Sequence, residues 1–324
     1  MSSEPHGFQV ESLRAWLRPL APGAQFALTP EEDAYLRHYD ILFSEEFADL
    51  AHHFGSVPSP SHQIAAHLWI PAEASGTAVV IHGYFDHTGL YGHLLRYLLD
   101  KGLAVLSFDL PGHGLSTGAP ATIETFEHYV DAFDACLTAL GEHLPQPWYL
   151  FGQSTGGAIA MDWLLANGFS QETAPFKKVV LLAPLVRPYL WPVNRLVYEV
   201  ARRFITERPR TFTSNAENEA FLEFLRERDP LQARALPVQW VTAMLAWKRR
   251  FESHAPSDIA PLVVQGHADR TVDWRYNIKV ISRLFQPQVF YIPEARHHLV
   301  NESPGIRARI FEAIDQQLRT EPGS

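Results

Sequence analysis

The stretch Trp148-Tyr149-Leu150-Phe151-Gly152-Gln153-Ser154-Thr155-Gly156-Gly157 decides how the rest of the chain is read. Its apolar start reads as the end of a buried strand. A Gly-x-Ser-x-Gly turn follows, and Ala158 to Leu165 reads as a helix stopped by Asn167-Gly168. Strand, turn and helix in that order are the setting a nucleophile elbow requires. A chain that reverses so sharply at Ser154 needs residues without a Cβ two positions to either side, and Gly152 and Gly156 supply them. The serine side chain then stands at the top edge of a sheet, and the first turn of the helix points free N–H groups at it. The pentapeptide alone is a weak signal; its place between strand and helix makes Ser154 a candidate nucleophile.

Working outward, Ala78-Val79-Val80-Ile81, Leu103 to Phe108 and Lys178 to Ala183 are short apolar runs, as strands buried on both faces would be. Ile64, Ala66, Leu68 and Ile70 alternate with Gln63, Ala65, His67 and Trp69, which predicts a strand with one better-buried face near a sheet edge. Helices are predicted over Leu94–Leu99 and 124–141. This alternation predicts an α/β fold with a mostly parallel central sheet and helices on both faces. Ligands of such sheets bind beyond the carboxyl ends of the strands, where His82, Asp109 and Ser154 fall.

Residues 1–60 read as an N-terminal helical segment packed on the core. Thr29 is its candidate N-cap before Pro30-Glu31-Glu32-Asp33, and Tyr35, Tyr39, Leu42, Phe43, Phe47 and Leu50 recur at helical spacing. Ser56 to Pro60 reads as a linker or turn. The core is expected over 61–185 and again over 258–324, where strands Leu262–Gly266 and Gln288–Ile292 and a helix from about 304 to 319 resume the rhythm. Residues 186–257 lack buried strands and read as an inserted helical cap. The cap carries twelve Lys and Arg against eight Asp and Glu, in a chain whose net charge is −9. That asymmetry suggests a surface role of its own, and Arg202-Arg203 and Lys248-Arg249-Arg250 are the clusters that could meet an anionic membrane surface.

The remaining composition excludes several classes. The acidic balance argues against a nucleic-acid binder. A single cysteine, Cys136, excludes an internal disulfide framework, and its helical neighbours predict a packed thiol. Met1 to Val10 shows no basic, apolar leader pattern, and no run approaches the roughly 18 apolar residues of a membrane helix, so a cytoplasmic protein is expected. Sixteen histidines invite a metal, but no ligand spacing supports one, and no cofactor is expected.

An activated serine needs a base, and the base an orienting acid. Two late strands end in candidates: Gly266-His267-Ala268-Asp269-Arg270-Thr271-Val272-Asp273, and Glu294-Ala295-Arg296-His297-His298. Asp269 lies nearer its strand end than Asp273; spacing leaves His297 and His298 open. With His82-Gly83, Asp109-Leu110-Pro111-Gly112-His113-Gly114-Leu115-Ser116 and Gly152 to Gly157, these pieces resemble the α/β-hydrolase superfamily, and within it the monoacylglycerol lipase and lysophospholipase (serine aminopeptidase S33-like) group.

The resemblance implies Ser154 as nucleophile, Asp269 as acid, His297 as base, and the N–H groups of Tyr84 and Thr155 as oxyanion hole. It makes His82 and His113 loop-organising residues. It implies a serine hydrolase acting on monoacyl lipids, a monoacylglycerol or lysophospholipid, without a cofactor. The departure is Gln153-Ser154-Thr155, where the group more often has His-Ser-Met; this predicts a more polar acyl pocket. The alternatives are an esterase of small esters, an aminopeptidase, which needs acidic groups near the nucleophile, and a ligand-binding protein on a hydrolase scaffold.

Overall fold

The apolar runs pair into one sheet. The computed structural model describes residues 7–23 and 26–319. Its strands are β1 Leu50–Pro58, β2 Gln63–Pro71, β3 Thr77–Ile81, β4 Ala104–Phe108, β5 Trp148–Gln153, β6 Phe176–Leu182, β7 Glu207–Pro209, β8 Ala235–Pro237, β9 Leu262–Gly266 and β10 Gln288–Ile292. Eight of them form a sheet in the order β1-β2-β4-β3-β5-β6-β9-β10. All neighbours from β4 to β10 run parallel, and β1 and β2 are the antiparallel edge. The helices are α1 Val10–Trp16, α2 Pro30–His38, α3 Gly92–Asp100, α4 Glu127–Leu140, α5 Thr155–Ala166, α6 Trp191–Ala201, α7 Glu219–Glu223, α8 Val238–Glu252, α9 Trp274–Leu284 and α10 Pro304–Arg319.

Strand residues alternate between two cores, because successive side chains leave opposite faces of a pleated strand. Val79, Leu106, Leu150, Leu181 and Val263 face α4, α5 and α9. Ala78, Val80, Val105, Phe151 and Val264 face α1, α2, α3 and α10. This is the α/β-hydrolase architecture. It brings the carboxyl ends of β3, β4, β5, β9 and β10 to one edge of the sheet.

The N-terminal section differs from its sequence reading. The helix begins as expected: Thr29 and Glu32 form a reciprocal capping box, with Pro30 at the first turn. It ends at His38, however, and Leu50–Pro58 is a strand that pairs residue by residue with β2. The segment Ser56 to Pro58 is therefore ladder, not linker. The apolar residues from Tyr35 to Leu50 are consecutive anchors in one core rather than one helical stripe. The same strand corrects the reading of β2. With β1 on one side and β4 on the other, and both faces covered, His67 and Trp69 are as buried as Leu68. Of the residues read for a leader, 1–6 lie outside the described ones.

Between β6 and β9 the chain leaves the sheet. Helix α8 returns the cap to the core through Trp240, Met244 and Trp247, all buried. Trp247 stacks on Phe126 at 4.4 Å and Trp240 on Tyr84 at 3.7 Å. Two of the three cations at the end of α8 are engaged within the chain, while Arg249 is exposed. Lys248 donates to Glu252 at 2.7 Å, and Arg250 to the buried Asp162 at 2.5 Å and to Glu127. Helix α6 has the opposite character: none of its residues is buried. Among the described residues no helix is long and apolar enough to cross a membrane.

Candidate active site

The turn after β5 is built as its glycines require. Ser154 has φ 53° and ψ −111°, a conformation that an L-residue holds only when its surroundings enforce it. A Cβ on Gly152 would lie 2.6 Å from the Gly156 carbonyl oxygen, and one on Gly156 would strike the carbonyls of Ile81 and His82. The backbone of β3, the turn and α5 are thus in direct contact, and any larger residue would push Ser154 off the sheet edge. The first helical bond of α5 runs from the Ala158 N–H to the Ser154 carbonyl, so the N–H of Thr155 has no intrahelical acceptor.

The loop after β10 brings His297 to the serine. Its Nε2 lies 2.9 Å from Ser154 Oγ, and its Nδ1 lies 2.8 Å from Asp269 Oδ2. A carboxylate accepts only, so Nδ1 carries the proton and Nε2 is left to accept from the hydroxyl. Asp269 also accepts from the N–H groups of Thr271 at 2.7 Å and Val272 at 3.1 Å, and from Gln265 Nε2 at 3.2 Å. Burial opposes its charge, but the His297 ring and these N–H donors outweigh burial and hold its pKa below the usual carboxylate range. Burial likewise opposes a charged His297. The charge and hydrogen bond of Asp269 prevail, and the imidazole titrates above its ordinary 6.5.

The competing candidates have other partners. Asp273 caps α9, accepting from the Tyr276 N–H at 3.3 Å, and pairs with Arg187 at 2.7 Å. His298 turns away from the serine: its Nε2 lies 3.2 Å from Asp86 Oδ2, and its ring packs 4.7 Å from Phe221 of the cap. His82 accepts the Leu110 N–H on Nε2 at 2.8 Å and faces the Gly83 carbonyl with Nδ1 at 2.7 Å, which ties together the loops after β3 and β4. The His113 ring faces the Pro111 carbonyl with Nδ1 at 2.9 Å.

Tyr84 follows on the same loop. A Cβ on Gly83 would lie 3.4 Å from Ser154 Cβ, so this loop passes directly beside the serine. Several residues that hold it carried no motif in the sequence. Tyr91 receives the Gly83 N–H at 2.8 Å and donates to Asp86 at 2.9 Å, and Phe85 adopts φ 68°. Tyr84 donates its hydroxyl to the Ala121 carbonyl at 2.7 Å, beneath the Trp240 ring. Gln153, read as a departure inside the elbow, donates its side-chain amide to the His297 carbonyl at 2.9 Å. It thereby fixes the loop of the histidine from the serine's own turn. A side-chain donor beside the serine was visible in the sequence; its acceptor was not.

Ser154, Thr155, Tyr84 and His297 open into a cavity of about 770 Å³ between core and cap. The cap lines it with Trp191, Leu236, Trp240, Val241, Met244 and Leu245, and with Arg208 and Arg210.

Known proteins share this chain's family profile and its fold. Residues 72–304 match the profile of the serine aminopeptidase S33 family. Phospholipase YtpA of Bacillus subtilis is 25% identical over 256 residues, spanning 76% of this chain and 95% of that protein. The monoacylglycerol lipase of Mycolicibacterium smegmatis is 25% identical over 266 residues, 79% of this chain and 89% of that one. The crystal structure of the Paleococcus ferrophilus monoacylglycerol lipase superposes with a TM-score of 0.64 at 21% identity, covering 80% of this chain and 98% of that one.

Proposed function

The chain belongs to the serine aminopeptidase S33 family of α/β-hydrolases, and we propose that it hydrolyses carboxylic esters of monoacyl lipids through an acyl-enzyme on Ser154. The observation that carries this reading is the continuous Ser154–His297–Asp269 hydrogen-bonded chain opening into a cap-roofed cavity. His297 takes the hydroxyl proton as Ser154 Oγ attacks the ester carbonyl. The N–H groups of Tyr84 and Thr155 receive the developing oxyanion, each such donor lowering the barrier by about 3 kcal/mol. His297 then protonates the leaving alcohol, and water activated by the same ring releases the acid. Asp269 stabilises the imidazolium in both halves.

The lipid substrate rests on two supports. The cavity is large enough to bury an acyl chain and is lined by the apolar side chains of α6 and α8. Relatives matched over most of their own length are named phospholipase and monoacylglycerol lipase. A second reading, release of N-terminal residues from peptides, has one observation in its favour: Glu219, Glu223 and Glu227 of the cap also line the cavity and could hold an amine. A panel of monoacylglycerols, lysophospholipids, short nitrophenyl esters and aminoacyl amides separates them, with Ser154→Ala as control. Turnover of long monoacyl lipids, abolished in the variant without loss of folding, supports the lipase reading. Preference for aminoacyl amides replaces it, and activity surviving in Ser154→Ala removes the nucleophile.

Access to such lipids would run through α6. Val193, Leu196 and Val200 recur at helical spacing on an exposed face of α6 that does not line the cavity, and Phe204 beyond the helix is 79% exposed. Arg202 and Arg203 flank this row. The reading is that the cap rests on a membrane surface by this face rather than by Lys248 to Arg250. Co-sedimentation with anionic vesicles should drop in Leu196→Asp/Phe204→Asp; unchanged binding would remove the contact.

A further inference from the structure

One side chain of the cavity is chemically out of place. Arg210 follows β7, where its own N–H donates to the Arg234 carbonyl at 2.9 Å. Its guanidinium lies 4.1 Å from the centroid of Phe85 and 4.5 Å from that of Phe212. Two aromatic rings hold the plane in place, which limits the conformations the side chain must give up on binding. Only one of its nitrogens is used. Nη1 donates to the Gln232 side-chain oxygen and, at 3.4 Å, to the Ala233 carbonyl. Among the described residues Nε and Nη2 have no acceptor, and no carboxylate lies within ion-pair distance. A guanidinium has five N–H donors, and its Nε–Nη2 edge is the one that grips two oxygens of an anion at once. That edge is unclaimed here.

The surroundings make a bound anion the missing partner. Burial lowers the Arg210 pKa to about 10, although Asp86 and Asp229 pull the other way; the group is still a cation at neutral pH, with much of its hydration lost. Asp86 does not neutralise it by contact, being engaged by Tyr91 and His298. Phe85, on which Arg210 lies, directly follows Tyr84, so the cation stands beside the proposed oxyanion loop. Arg195, Arg208 and Arg226 line the same cavity together with Glu219, Glu223 and Glu227, and all six are exposed, whereas Arg210 is half-buried.

We propose that Arg210 is a specificity residue that binds a phosphate on the alcohol side of the ester, so that the preferred substrates are monoacyl glycerophosphates rather than neutral monoacylglycerols. This rests on the serine-esterase reading and narrows its substrate class. The Nε–Nη2 edge meets two phosphate oxygens, Phe85 and Phe212 keep the fork oriented, and Arg208 adds to the positive field at the cavity wall.

The test compares kcat/KM for a 1-acylglycerol 3-phosphate and for the 1-acylglycerol of the same chain, in wild type, Arg210→Gln, Arg210→Lys and Ser154→Ala. The ratio of phosphate to neutral substrate should fall about 30-fold in Arg210→Gln, the loss expected for charge-assisted hydrogen bonds, and less in Arg210→Lys, which keeps the charge without the fork. An unchanged ratio in a variant that melts with the wild type overturns the proposal. Should Arg210→Gln fail to fold, inhibition of nitrophenyl butyrate hydrolysis by glycerol 3-phosphate in the wild type decides. Competitive inhibition that fades with added salt supports the site, and none at millimolar concentration overturns it. Inhibition without a preference for the acylated phosphate identifies a free phosphate ester as the ligand and overturns the lipid assignment. Activity retained in Ser154→Ala would instead overturn the underlying reading.

Discussion

Among the buried histidine–aspartate pairs of the described residues, two differ in which ring nitrogen the acid holds. Asp269 holds Nδ1 of His297, so Nε2 is presented to Ser154 and to the cavity. Asp229 holds Nε2 of His87 at 3.1 Å, which leaves Nδ1 buried with no hydrogen-bond partner among the described residues. The rest of the Asp229 shell is structural. It accepts from the Tyr39 hydroxyl at 2.7 Å, the Leu231 N–H at 3.0 Å and Gln232 Nε2 at 2.7 Å. Tyr39 belongs to the N-terminal section, His87 to the loop after β3 and Asp229 to the cap, so this pair clasps three segments together. In both pairs the charges sustain each other against burial: both histidines titrate above and both aspartates below their ordinary values. Charge and burial are therefore common to both pairs, and what separates them is the free nitrogen and what it meets.

Crossed substitutions would break this comparison most sharply. Asp269→Asn should lower kcat on nitrophenyl butyrate by on the order of 10⁴-fold, because the ring would then favour the wrong tautomer. Asp229→Asn should retain turnover within a few-fold. Equal losses would mean that the second pair also serves the chemistry. In stability the order reverses: Asp229→Ala should cost about 3–5 kcal/mol, since it leaves a buried histidine and three donors without their acceptor. Urea midpoints measure it.

Dependence on pH sharpens the contrast at smaller amplitude. In the proposed mechanism His297 acts as base only when neutral, and its pKa is raised, so kcat/KM should climb with pH through a midpoint above 6.5. Asp229→Asn should leave that midpoint in place. The clasp depends on pH in stability instead. His87, raised in the folded state, contributes fully below its ordinary 6.5 and loses that contribution as pH rises through its folded value. Asp229, lowered when folded, contributes fully above its ordinary 3.8 and loses it as pH falls through its folded value. The stability gap between wild type and Asp229→Asn should therefore be widest between about pH 4 and 6.5 and narrow as pH rises through the folded His87 value. A gap that is flat with pH would show that the pair is not ionised.

The line between sequence and structure falls where local geometry gives way to long-range contact. The elbow was legible because its requirement is local: two glycines around Ser154 are dictated by backbone atoms a few bonds away and by the strand below. The alternation of apolar runs with helices was legible for the same reason, and it sufficed for a mostly parallel sheet covered on both faces; the α/β-hydrolase likeness needed the loop motifs as well. What the sequence left open were choices between near neighbours. Asp269 and Asp273 are four residues apart and His297 and His298 adjacent, and no spacing rule says which side chain of a loop turns toward the serine. That is decided where β9 and β10 end beside β5 and β6, and by helix α9, which takes Asp273 for its cap. The strand at Leu50–Pro58, the inward turn of Lys248 and Arg250, and the unclaimed edge of Arg210 belong to the same class. Each depends on a partner far away in the chain, and only the folded chain brings that partner within reach.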